Sequence, residues 1–263
     1  MTKPPLPPSS DPWARLRAAT PARIGLGRSG AGLPTAALNR FRVDVARARD
    51  AVHAPLDIAA LRDRLAGFDT LAVASRAPDR ATYLRRPDLG RRVDPDDLAR
   101  LPRPDPAPDL VFAICDGLSA AAVAAHAAPF LDRAAALLGD LSIGPVVIVR
   151  EGRVAIGDEI GHALGAGMVA VLIGERPGLT VADSMGIYLT HAPRPGRADS
   201  ERNCLSNIHR NGGQDYDTAA AKLAWLVREA RRRGLTGTAL REEAPRPGPA
   251  LPPQGTDTPS RQS

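Results

Sequence analysis

Cys204 is one of only two cysteines in the chain, and it lies within SERNCLSNIHRNGG at residues 200–213. Its neighbours Glu201, Arg202, Asn203, Asn207, His209 and Asn211 are polar, and a packed core accepts such groups only when each finds a partner. The stretch therefore reads as a surface or a site. Within it, NIHRNG has the form of Asp-x-His-x-x-Gly, a motif that supplies a histidine to a bound metal, with Asn207 in place of the carboxylate that makes the imidazole more basic. His209 accordingly reads as a loop histidine making hydrogen bonds. Glu175 and Arg176 directly follow an apolar run and sit between Gly174 and Pro177-Gly178, where a charged pair points to a site. An ion pair capping a sheet end is the plainer alternative. Asp158, Glu159 and His162 have the chemistry of general acids and bases, but on the helix GDEIGHALG they read as a solvated or interfacial face. GLGRSG, with Gly25, Gly27 and Gly30, spells the dinucleotide fingerprint without the preceding strand that fingerprint requires. No phosphate-binding loop ending in Gly-Lys-Ser/Thr, nucleophile elbow or helical pair of zinc-binding histidines occurs. The sequence thus offers binding features without a catalytic set and without a metal site of its own.

Composition narrows the class. The chain has 263 residues, enough for one large domain or two small ones, and its aromatic content is only 3%, so the core must be built from Ala, Leu, Val and Ile. The formal charge is +6, yet the only lysines are Lys3 and Lys222, and arginine is spread over the whole length. The clusters at 85–86, 91–92 and 231–233 are short and not interleaved with aromatic residues, which argues against a nucleic-acid partner. No apolar run reaches the length of a membrane span, and MTKPPLPPSSDP lacks the apolar centre of a signal peptide. A cytoplasmic, reduced setting is expected, with no disulfide scaffold from Cys115 and Cys204.

These candidates need elements to position them. The Pro-rich ends, 1–12 and 244–263, read as disordered tails. Residues 13–104 read as a helical N-terminal region. There Leu38, Phe41, Val45, Ala48 and Val52 recur at three-and-four spacing, a stripe that reads as core-facing, with a docking face as the alternative. From 105 to 243 strands and helices alternate: LVFAIC, a long alanine-rich helix after Ser119, GPVVIVREG, AIGDEIGHALGAG, MVAVLIG, GIYLTH and a final amphipathic helix at 218–233. Continuous apolar strands separated by helices predict an α/β fold with a mainly parallel, doubly wound, Rossmann-like sheet beside the N-terminal helical arm or subdomain. Ligands of such sheets bind beyond the carboxyl ends of the strands, here the loops CDGLS, REGRV and GERPG.

RIGLGRSGAGLPT with ARARDAVH, then GRVAIGDEIG, LIGERPGL and ERNCLSNIH occur in this order over residues about 13–240. Together they resemble the small (light) subunit of adenosylcobalamin-dependent ethanolamine ammonia-lyase. The resemblance implies a two-chain enzyme in a hetero-oligomer. Its large subunit would hold ethanolamine in a barrel, and this chain would complete the adenosylcobalamin pocket for radical deamination to acetaldehyde and ammonia. It places cofactor contacts on Val154, Glu175 and Cys204, assigns no catalytic residue to this chain, and keeps the cofactor's own base on cobalt. It also implies a place in bacterial ethanolamine degradation, where the enzyme is often enclosed in a microcompartment. Two other readings compete: a cobalamin carrier that binds without a partner, and an assembly protein that docks through its helical arm.

Overall fold

The protein is described by a computed structural model covering residues 11–20 and 22–244. The Pro-rich ends read as disordered lie outside the described residues, apart from Asp11, Pro12 and Ala244. Four helices and one strand come first: α1 (Ala14–Ala19), α2 (Thr35–His53), α3 (Ile58–Arg64), β1 (Thr70–Ala74) and α4 (Arg80–Arg85). They are followed by α5 (Pro95–Arg100), β2 (Leu110–Cys115), α6 (Ala120–Leu137), β3 (Val146–Arg150), α7 (Ile156–Ala163), β4 (Met168–Gly174), β5 (Met185–His191), β6 (Asn203–Ile208) and α8 (Tyr216–Arg233). Side chains that favour helix starts mark several of these boundaries. Asp57, Asp79, Asp94, Ser119 and Asp215 each accept a hydrogen bond from an otherwise orphaned N–H in the first turn.

The six strands run in the order β1-β3-β2-β4-β5-β6. The first four pair in parallel, and β5 and β6 add to β4 as antiparallel strands. The α/β class and the mainly parallel core are therefore as expected, but the two antiparallel strands make the sheet mixed, without the doubly wound parallel order of a Rossmann-like fold. The reason lies in the connections. A parallel neighbour needs a crossover long enough to span a sheet face, usually a helix. Neither the β4–β5 nor the β5–β6 connection carries an α-helix.

Two further elements depart from the sequence reading. TLAVA lies in the region read as helical, yet it forms β1 and pairs with β3 from Thr70↔Val146 to Ala74↔Arg150. ERNCLSNIH, read as a loop, contains β6. Both are edge strands, with one pairing partner and one partly solvated face, so neither needs the continuous apolar run that betrays a central strand.

Apolar residues from one face of the sheet, including Phe112, Ile114, Ile148, Ala170, Ile187 and Leu205, pack under α3, α6 and α8. Those of the other face, Val111, Ala113, Val147, Val149, Val169 and Val171, pack under Ile156, Ile160 and Leu164 in and just after α7. Because α7 is only eight residues long and lies over β2 and β4, this second face stays without helical cover over β5 and β6. Tyr188 there is half-buried and Cys204 exposed. The α2 stripe, expected to face a core, does not: α2 has no buried residue, and Phe41 and Val45 are exposed. No helix among the described residues is long and apolar enough to cross a membrane.

Phe112 lies in β2 and is fully buried. Phe112→Ala is expected to lower stability by about 3–5 kcal/mol, seen as a lower denaturant midpoint at an unchanged slope.

Candidate functional site

The open ledge over β5 and β6 gathers three widely separated residues around Tyr188. Val154 follows β3 and lines, with Tyr188, a cavity of ≈ 390 Å³ whose other walls include Arg91, Arg153, Asp199 and Arg202. Cys204 is the partner of Tyr188 across the β5–β6 pair, and Val171 is its partner on β4. Partial desolvation holds the Cys204 thiol above its ordinary range, against the hydrogen-bonding effect of Tyr188 and with help from the Glu175 charge. Desolvation likewise raises the Tyr188 phenol, with Cys204 and Glu175 adding to the effect. Cys204 thus presents a neutral thiol, suited to contact rather than nucleophilic attack.

Glu175 is the first residue beyond β4, and its seat is built from the strands beside it. Its N–H donates to the Ser184 carbonyl at 2.9 Å. Both carboxylate oxygens lie 3.3 Å from the Asn207 N–H, and Oε2 also accepts from the Ser184 hydroxyl. The side chain crosses Gly186, where an added Cβ would come within 3.0 Å of Oε1. Glu175 forms no salt bridge among the described residues, so it is not the ion-paired cap of a sheet end, and exposed Arg176 turns to solvent. A carboxylate held only by neutral donors keeps lone pairs for further donors at the ledge.

The ledge is tied to the rest of the molecule by Arg202. Its Nη1 and Nη2 donate to the two Asp158 oxygens at 2.6 and 2.8 Å. The Thr190 hydroxyl and the Arg197 carbonyl accept at 3.0 and 3.1 Å, and Nε reaches Asp199 at 3.4 Å. Arg202 and Asp158 are both buried. Glu159 beside Asp158 is buried as well, accepting from Arg92 and from the Val93 N–H at 2.7 Å. The solvated or interfacial face expected for Asp158, Glu159 and His162 is thus corrected for the two carboxylates, which are buried and satisfied by arginines from distant segments, while His162 remains exposed.

Over residues 10–241 the chain matches the family described as ethanolamine ammonia-lyase light chain (EutC). Three curated relatives, each named ethanolamine ammonia-lyase small subunit, are similar over nearly full length. That of Azotobacter vinelandii is 51% identical, with 90% of this chain and 91% of the relative covered. That of Rhodopseudomonas palustris is 53% identical, at 93% and 94% coverage. That of Xanthomonas campestris pv. campestris is 49% identical, at 98% and 95% coverage. The chain belongs to the ethanolamine ammonia-lyase light-chain family.

In this light chain His209 is buried and both its ring nitrogens are engaged. Nδ1 accepts from the Asn211 N–H at 3.2 Å, so Nε2 carries the proton that it donates to Asn207 Oδ1 at 2.8 Å. It shapes the turn in which Asn207 takes φ 63°, as expected for a hydrogen-bonding histidine. GLGRSG follows no strand among the described residues, so it lacks the strand that the dinucleotide fingerprint requires.

Sequence reading missed Tyr188, which lies in a strand run that looked uniformly buried. It also missed a polar cluster at the carboxyl ends of β2 and β3. Asp116 accepts from the N–H groups of Glu151 and Gly152 at 3.0 and 3.1 Å. Arg80 contacts Asp116 at 3.5 Å and Glu151 at 2.9 Å. Burial, then the Glu151 charge, pushes the Asp116 carboxyl up to about 6. The available signal was Asp-Gly directly after an apolar strand.

Two measurements test these assignments. Asp158→Ala leaves the buried Arg202 charge with only the exposed Asp199, at 3.4 Å, for a counter-charge among the described residues, and is expected to cost about 3 kcal/mol in chemical unfolding, whereas an apolar replacement of both residues loses less. The folded state binds the Asp116 proton more tightly than the unfolded chain. Its contribution is therefore complete below the ordinary value of 3.8 and is lost as pH rises through about 6. Wild type is expected to lose stability relative to Asp116→Asn across that window, read from denaturant midpoints at a series of pH values.

Proposed function

We propose that this chain works as the small subunit of ethanolamine ammonia-lyase, and that the ledge formed by Val154, Glu175, Tyr188 and Cys204 covers part of an adenosylcobalamin shared with a large subunit. The observation that carries this is the convergence of three separate sequence segments on the stretch of the second sheet face that lacks a helix. The ledge suits a broad, amide-fringed macrocycle. Val154 and Cys204 offer apolar and weakly polar contact, and Glu175 keeps acceptor capacity for amide N–H groups, which corrin side chains supply in number.

When bound, adenosylcobalamin supplies the radical chemistry through homolysis of its cobalt–carbon bond. This chain's residues bind and shield. Glu175, locked by Asn207 and Ser184, orients the ring edge, and Val154 and Cys204 keep water from the surface they cover. His209 contributes no ligand, since its nitrogens are engaged within the protein. Ethanolamine is bound mainly by the large subunit. The lyase-subunit names of the relatives favour this reading over a free-standing cobalamin carrier.

Acetaldehyde release from ethanolamine and adenosylcobalamin should require this chain and a matching large subunit together. In that complex Glu175→Ala should weaken cofactor binding by about tenfold, the loss of a hydrogen bond to a charged group. Inactive mixtures in which the chains fail to associate would overturn the shared-enzyme reading. Unchanged cofactor affinity in Glu175→Ala would overturn the ledge assignment.

A further inference from the structure

Three arginines line the cavity beside Val154, and two of them, Arg202 and Arg153, are in opposite states. Arg202 has acceptors for each of its guanidinium nitrogens. The Arg153 side chain has none among the described residues: it forms no ion pair, and its Nε is buried without a hydrogen-bond partner. Its position is nonetheless built. The Arg153 N–H donates to the Gly90 carbonyl at 2.7 Å, and its stem lies so close to Gly90 that a Cβ there would stand 2.9 Å from Arg153 Cγ. The guanidinium stacks on buried Tyr83, 4.3 Å from the ring centroid, and the Tyr83 hydroxyl donates to the Gly152 carbonyl at 2.9 Å.

Such a side chain is a planar cation held in orientation with its donors unused. Holding a partly desolvated cation without an anion is unfavourable, and proteins keep such groups mainly where a ligand completes them. The charges around it leave an excess. Asp158 neutralises Arg202, and among the described residues Arg91 meets only the exposed Asp199, at 3.5 Å. Arg153 remains uncompensated at the wall that also carries Val154 and Tyr188.

We infer that Arg153, assisted by Arg91, forms an anion subsite at the edge of the ledge, and that it takes the phosphodiester in the nucleotide tail of the corrinoid. The inference rests on the proposed cofactor face. If Val154 faces the corrin, Arg153 meets its periphery. The side chains there are neutral amides except for the tail, whose phosphodiester is the anion that a guanidinium fork recognises.

The test compares cyanocobalamin with cobinamide, which lacks the nucleotide and its phosphodiester, by spectroscopic titration of the two-subunit complex. Arg153→Gln is expected to weaken cyanocobalamin binding about tenfold to a hundredfold while leaving cobinamide affinity unchanged. Arg153→Lys, which keeps the charge but not the fork, should fall between. Wild-type affinity for cyanocobalamin should decline with added salt more steeply than that of Arg153→Gln. Equal weakening of both corrinoids, unchanged cyanocobalamin affinity, or loss of subunit association in Arg153→Gln would overturn the subsite. Glu175→Ala serves as the separate control: if it leaves both corrinoids unaffected, the cofactor face itself is misplaced, whatever Arg153 does.

Discussion

The architecture of the site depends on one buried ion pair, Arg202 with Asp158. Asp158 belongs to the helix that covers the middle of the second sheet face, and Arg202 immediately precedes the edge strand that extends this face beyond the helix. Removing two charges from water is unfavourable, and bidentate geometry with further bonds to Thr190 and Arg197 offsets that loss. What the pair contributes is position. An edge strand has hydrogen bonds on one side only and slips easily. A two-pronged bond from the residue just before it into the N-terminal half of the helix sets where Cys204 falls relative to Tyr188.

The carboxylates nearby divide according to their partners. Asp158 and Glu159 are matched by arginines, and Asp116 is held by two backbone N–H groups with Arg80 in reach. Glu175 alone among these four is fixed by neutral donors with no ion pair among the described residues. A carboxylate already paired with a guanidinium has little capacity for a ligand amide, whereas one steadied by an N–H and a hydroxyl keeps it. The same contrast separates Arg202, fully engaged, from Arg153, stacked but unpaired. The polar groups with incomplete partnership are therefore Arg153, beside Val154 in the cavity, and Glu175, at the end of β4.

Much of this was legible along the chain. The continuous apolar runs LVFAIC, VVIVR and MVAVLIG became the central parallel strands β2, β3 and β4 because burial on both faces leaves no room for alternation. Ser119 marked a helix start through chemistry local to one turn. The grouping of GERPGL with ERNCLSNIH carried the family resemblance. The polar company of Cys204 announced that it would not be buried.

Pairing and burial of charge were decided by the tertiary structure. β1 and β6 are edge strands whose apolar content is too slight to declare them, and they exist because β3 and β5 offer unpaired backbone edges. Asp158 and Glu159 looked like a solvated face because their partners, Arg202 and Arg92, are remote in sequence. The α2 stripe has the spacing of a core helix but meets no core, since periodicity states that one side is apolar and not what lies opposite it. Local chemistry sets propensities, caps and runs within a few residues of one another. The order of strands, the cover over each face and the partner of each charge depend on contacts between distant segments, and these arise only when the chain folds.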